Sequence, residues 1–166
     1  MITPLRRLVF SAAMVLGVHS ARAQIKVGDV FPSLATADLS GSVPPTSGQV
    51  VFVDFWASWC APCKASFPAY GRIFSDFARR GLVMVAVSVD ESASAYSTFV
   101  KKSAPPFPTV RDQHTKLVRE VQVPSMPTSY VIGRDGKVRY IHVGFHSGET
   151  EKALRGEIEA LLAEKG

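Results

Sequence analysis

The stretch Trp59-Cys60-Ala61-Pro62-Cys63 holds the two cysteines of the chain, separated by two residues. Thiols at that spacing can close into a disulfide and reopen, which is two-electron redox chemistry. The preceding run Val50-Val51-Phe52-Val53-Asp54-Phe55 has the length and apolar character of a fully buried strand, and Ala61 to Ala78 carries a helical pattern. Cys60 therefore falls where strand passes into helix. The first backbone N–H groups and the positive end of the helix dipole favour a thiolate there, so Cys60 is expected to be the attacking sulfur. Cys63, one turn further in, is expected to be shielded. It is placed to attack a mixed disulfide at Cys60, which releases the substrate and leaves a Cys60–Cys63 bridge.

Other uses of a cysteine pair fit less well. A structural zinc site takes four ligands, but there is no second cysteine pair, and His19, His114, His142 and His146 lack the paired spacing such sites use; no metal site is expected. A purely structural bridge enclosing two residues would restrain the unfolded chain very little.

The elements around this motif fit one domain, since 166 residues bury a substantial core without further staples. Residues 1–23 read as an export signal: Arg6 and Arg7, the apolar stretch Leu8 to Val18, then the small-x-small site Ala21-Arg22-Ala23. Eleven residues make about 16 Å of helix against a hydrocarbon core of roughly 30 Å, so cleavage after Ala23 is expected rather than a permanent anchor. Residues 24–166 would be the working domain, outside the cytoplasm. Losing Arg6, Arg7 and Arg22, with no acids, lowers the formal charge from +5 to +2. The remaining charges are interspersed without a basic stripe, so no nucleic-acid partner is expected.

Further along, Leu82 to Val89 reads as a central parallel strand, Ser92 to Lys101 as a short helix, and Ser129 to Ile132 with Val138 to Val143 as a hairpin through Gly133-Arg134-Asp135-Gly136. Glu151 to Ala163 reads as an amphipathic helix with Leu154, Ile158, Leu161 and Leu162 on one side. A short strand is expected near Leu34 to Ala37, while His114 to Val121 has no clear pattern.

Val53-Asp54-Phe55-Trp56-Ala57-Ser58-Trp59-Cys60-Ala61-Pro62-Cys63-Lys64 together with Met126-Pro127-Thr128 resembles the thioredoxin superfamily and, within it, the TlpA/ResA-like exported thiol-disulfide oxidoreductases. The resemblance runs over residues 28 to 163. It implies an α/β fold, a thioredoxin-like three-layer α/β/α sandwich, with an N-terminal extension before Val50 and a central insertion between Val89 and the Met126-Pro127 turn. It implies Cys60 as nucleophile, Cys63 as resolving thiol and Pro127 as a cis-proline, with the Met126 backbone, Trp59, Ala61 and Pro62 facing a bound partner. Asp54, an acid in an apolar strand, would exchange protons with Cys63; its burial is costly unless its pKa rises or it finds partners. Ser66 stands where many such proteins carry glutamate. The active group would be the Cys60–Cys63 dithiol with no other cofactor. Disulfide-containing proteins would be the substrates of a monomeric enzyme, with a membrane thiol-disulfide protein as electron donor and roles in cytochrome c maturation or in metallochaperone and oxidase assembly within reach.

The Ala61-Pro62 dipeptide has no histidine to stabilise a thiolate, and with Asp54 this favours the reducing direction. Two other functions compete. A thiol peroxidase shares the fold but places a proline before its nucleophile, where Val53 stands here. A copper-binding chaperone would need the cysteines and a histidine such as His142 or His146 to converge.

Overall fold

A computed structural model describes residues 23–164. The signal read in residues 1–23 therefore lies outside the described residues except for Ala23. Among the described residues no helix is long and apolar enough to cross a membrane.

The apolar run before the cysteines forms β1 (Val50–Trp56), and every residue of it is buried. A strand with no polar alternation needs cover on both faces, and it receives it. β1 runs parallel to β2 (Leu82–Ser88) from Val50↔Leu82 to Trp56↔Ser88, and between them the chain crosses over through α1 (Ala61–Phe77) and a short 3₁₀ turn (Ala78–Arg80). Next come α2 (Ala93–Ser103), β3 (Thr109–Arg111), α3 (Lys116–Val121), β4 (Thr128–Ile132), β5 (Val138–Val143) and α4 (Ser147–Ala163). The sheet order is β3-β2-β1-β4-β5, with β3 parallel to β2, and β4 antiparallel to both β1 and β5.

Side chains alternate across β1, so its even and odd residues enter different cores. Val50, Phe52 and Trp56 pack with Cys60, Cys63, Phe67, Tyr70 and Ile73 of α1 and Leu154, Ile158 and Leu161 of α4, with Tyr96 and Phe99 of α2 closing the edge. Val51, Val53 and Phe55 pack against Leu117 and Val121 of α3, Tyr130 of β4, and Phe31 and Leu34 of the extension. Helix, sheet, and helix plus extension are the three layers. This is the expected α/β sandwich.

Several elements depart from the sequence reading. No strand forms near Leu34 to Ala37: the amides of Thr36 and Ala37 both donate to the Ser33 carbonyl, a local turn that competes with strand pairing. The extension instead touches the sheet through isolated bridges, Val30↔Lys137 and Ser40↔Arg111, while Leu34 still fills the core. The segment from His114 becomes α3, because the buried Asp112 carboxylate accepts from the amides of Lys116 and Val118 at 2.9 and 2.8 Å and so satisfies orphan donors of its first turn. β3, unforeseen, adds the edge strand within the central insertion. α4 starts four residues earlier than Glu151, at Ser147. The β4–β5 turn keeps its expected place, with Gly136 at φ 75°, which glycine adopts without steric cost.

Candidate active site

Cys60 is the N-cap residue of α1: its backbone is extended (φ −84°, ψ 108°) and its sulfur accepts from the Cys63 amide at 3.2 Å. The first turn contains no acidic residue that would oppose a developing thiolate, and its amide dipoles point at Cys60. Pro62 occupies the start of the helix, where a missing N–H costs nothing. The two sulfurs are joined as a disulfide with Cα atoms 5.3 Å apart. Cys63 is completely buried, whereas Cys60 keeps 5 % of its surface, so the sulfur of Cys60 is the one open to an incoming reactant.

Around this sulfur the surface is apolar and open. Trp59 is 69 % exposed, and Ala61 and Pro62 are exposed beside it. Trp59 is therefore not a core residue: its ring lies at the surface next to the disulfide. The Met126–Pro127 peptide is cis, Pro127 is buried, and Met126 packs against the core cluster that contains both cysteines. Pairing between β1 and β4 ends at Phe55↔Thr128, which leaves Met126 beyond the ladder.

Asp54 lies between Phe52 and Trp56 on the face of β1 that α1 covers, the face that also receives Cys63. It is completely buried. Burial pushes its carboxyl well above the ordinary 3.8, and the hydroxyl of Tyr70 draws it part of the way back. That hydroxyl reaches Oδ1 at 3.4 Å; Oδ2 has no partner among the described residues.

The family model described as AhpC/TSA matches residues 27–141, most of the length of the domain. The chain belongs to the AhpC/TSA family. Within it, the chain is 32 % identical over 130 residues to the thiol-disulfide oxidoreductase ResA of Bacillus subtilis (strain 168), covering 76 % of this chain and 73 % of that one. It is 28 % identical over 148 residues to ResA of a Bacillus cereus strain, covering 87 % and 84 %. A Chlorobium tepidum protein assigned as the thiol:disulfide interchange protein DsbE superposes with a TM-score of 0.78 at 33 % identity, over 84 % of this chain and 100 % of the other. StoA from Bacillus subtilis shares the fold at a TM-score of 0.60 and 24 % identity, over 68 % and 84 %. This AhpC/TSA family member is thus a thiol-disulfide oxidoreductase on a thioredoxin-like fold.

In this oxidoreductase, the sequence reading assigned no role to a second buried acid, Asp90, which directly follows the strand read at Leu82 to Val89. The Asp90 carboxylate accepts from the backbone and hydroxyl of Ser58, the latter at 2.7 Å, and from the Ser88 hydroxyl at 2.7 Å. It ties the end of β2 to the loop carrying Trp59 and Cys60. The sequence reading also passed over the hydroxyls of Tyr70 and of Ser129, the latter directly opposite Asp54 in the β1–β4 register, and gave Ser66 only as a replacement for glutamate, whereas its hydroxyl donates to the Cys63 carbonyl at 2.8 Å. An acid closing a valine-rich strand was the available signal for Asp90; for the hydroxyls, pairing of distant segments was needed. His142 does not approach the cysteines: it stands 2.7 Å from Glu157. Among the described residues no group of three or more His, Cys, Asp or Glu side chains converges as a metal site. Val53, at the place a peroxidase proline would take, is buried in the opposite core.

Proposed function

We propose that this enzyme reduces disulfides of protein substrates outside the cytoplasm, with Cys60 as nucleophile, Cys63 as resolving thiol and Asp54 as the proton carrier. The observation that supports this most is the gradient of exposure through the motif, from exposed Trp59 through slightly accessible Cys60 at a helix start to fully buried Cys63, with the buried Asp54 carboxyl on the face of β1 that α1 covers.

In the reducing direction the Cys60 thiolate attacks one sulfur of the substrate disulfide; the S–S bond breaks, and the first substrate sulfur leaves as a thiolate. Cys63 gives its proton to the Asp54 carboxylate and attacks the Sγ of Cys60, expelling the second substrate thiolate. The substrate has gained two electrons and the dithiol has lost them. When a donor dithiol reopens the bridge, Cys63 departs as a thiolate and takes its proton back from Asp54. A carboxyl lifted by burial toward the working pH suits both directions of that exchange. Trp59, Ala61 and Pro62 offer a flat apolar face to a polypeptide, and the unpaired backbone at Met126 offers strand-like hydrogen bonds. The redox pair is the only active group this chemistry requires; a membrane thiol-disulfide protein is the donor we expect, in the service of cytochrome c maturation or of metallochaperone and oxidase assembly.

Reduced protein should precipitate insulin by cutting its interchain disulfides, and Cys60→Ser should not; retained activity in that variant would remove Cys60 as nucleophile. N-terminal sequencing of the exported protein should begin at Gln24, whereas an intact Met1 in the membrane fraction would show residues 1–23 to be an anchor.

A further inference from the structure

Between α1 and the sheet, buried polar side chains interrupt an otherwise apolar layer. Tyr70 is 1 % exposed, Ser66 is fully buried and Ser129 is 1 % exposed. The Tyr70 ring is fixed edge-on against Phe52 at 4.9 Å and against Phe145 at 5.8 Å. Its hydroxyl donates to Oδ1 of Asp54 at 3.4 Å. Ser129 faces Asp54 across the β1–β4 pair, and the Ser66 hydroxyl donates to the Cys63 carbonyl, so the buried polar groups of this layer lie on β1, β4 and the turn of α1 that carries the resolving cysteine. A buried carboxyl with one oxygen bound and the other bare is not symmetric: the two oxygens differ in which can take up a proton.

We propose that Tyr70 is a positioning residue for the redox pair: its hydroxyl pins Oδ1 of Asp54 so that Oδ2 is the oxygen that exchanges the proton with Cys63. This rests on the reading of Asp54 as the proton carrier. In the step itself the Cys63 S–H bond breaks, an O–H bond forms at Oδ2, and Tyr70 keeps its own proton throughout, donated to Oδ1. Burial and the neighbouring Asp54 hold the phenol well above its ordinary value of 10, so it does not ionise in the range where the thiols work. The 3.4 Å bond is long, as catalytic bonds commonly are before the reacting state forms.

One further titratable group near this face has a partner of its own. His142 follows Ser129 in the same cross-strand row, on β5, and is paired with Glu157 of α4. Tyr140 lies on the same side one pair further along. From α1 the groups are Cys63 and Tyr70, and burial and Tyr70 are what move Asp54.

The test is single-turnover resolution of a mixed disulfide, preformed at Cys60 of the full protein, followed by stopped flow from pH 5 to 10 in wild type, Tyr70→Phe, Asp54→Asn, the double variant and His142→Gln. Tyr70→Phe keeps the ring and removes the one donor that favours the ionised carboxyl, so the rate should fall about five- to tenfold at pH 7 and its pH midpoint should move upward, in the range general-base loss produces. In the Asp54→Asn background the same change should do nothing further, and His142→Gln should leave the midpoint in place. The carboxyl C=O stretch of Asp54 should shift in Tyr70→Phe. Ser129→Ala should shift the midpoint in the same direction by less, and it serves where Tyr70→Phe folds poorly. A wild-type profile in Tyr70→Phe alongside a slow Asp54→Asn overturns the role of Tyr70 alone; a wild-type rate in Asp54→Asn overturns the proton carrier and this inference with it. A Tyr70→Phe effect that persists in the Asp54→Asn background, or a midpoint moved by His142→Gln, also overturns it.

Discussion

Two aspartates are buried beside the same redox motif, Asp54 in the strand before it and Asp90 through its bonds to Ser58, and their surroundings are opposite. Asp90, 2 % exposed, accepts from a backbone amide and two hydroxyls, with both oxygens engaged. Asp54, with no exposure, has one long bond to Tyr70 and a bare oxygen. A carboxylate whose lone pairs are filled by fixed donors is an anchor: it holds the loop of Trp59 and Cys60 to the end of β2. A carboxyl left under-bonded in an apolar layer is costly as an anion and is therefore ready to hold a proton. Position relative to the cysteines does not separate the two roles. The count of donors does.

If that distinction holds, Asp90→Ala should act on stability. It strands the Ser58 and Ser88 donors in a buried place, at a cost of about 3 kcal/mol in denaturant melts, with attack by Cys60 slowed only as far as its loop loosens. Equal stability of Asp90→Ala and wild type would break the comparison on its structural side.

Asp54→Asn should do the reverse, slowing turnover roughly tenfold at neutral pH while the fold persists. Its stability should also depart from wild type in a defined direction. The folded-state carboxyl lies above its unfolded value near 3.8, so between those two values the native protein binds more protons than the unfolded chain, and wild-type stability falls as pH rises. Below pH 3.8 the carboxyl is neutral in both states and that loss is absent. The advantage of Asp54→Asn over wild type should therefore open above about pH 4 and widen until the folded carboxyl has ionised. A gap that is constant across pH would mean that Asp54 is not the strained acid described here.

The smallest effect concerns a third buried polar group, on the far face of the sheet. Tyr130 is fully buried, burial pushes its hydroxyl up to about 12, and that oxygen has no partner among the described residues. Tyr70 makes use of its hydroxyl; Tyr130 contributes a ring, packed against Phe31 at 5.3 Å and Phe55 at 5.9 Å. Tyr130→Phe should raise stability by about 1 kcal/mol or less and leave the kinetics alone, in contrast to Tyr70→Phe.

The redox motif was legible because its information is local: two cysteines, a strand before them and a helix after them are all read within one short stretch of chain. The two-sided burial of β1 and the hairpin turn at Gly133 to Gly136 were legible for the same reason. What escaped is long-range. The hydroxyl residues that face Asp54 come from α1, as Tyr70, and from β4, as Ser129, and nothing in the order of residues says that these segments meet. Asp112 organises α3 from outside the helix, so the segment from His114 onward shows no capping signal of its own. The extension was misread near Leu34 because an apolar residue flanked by small polar ones serves equally in a strand or in a turn that plugs the core.

The central claim is a division of labour between the two sulfurs, and trapping tests it directly. Reduced Cys63→Ser and reduced Cys60→Ser would each be mixed with a protein disulfide, quenched with acid and mapped by mass spectrometry. Cys63→Ser should accumulate a stoichiometric mixed disulfide at Cys60, and Cys60→Ser, with its remaining thiol wholly buried, should accumulate almost none. A mixed disulfide that forms as fast at Cys63 as at Cys60 would contradict the account.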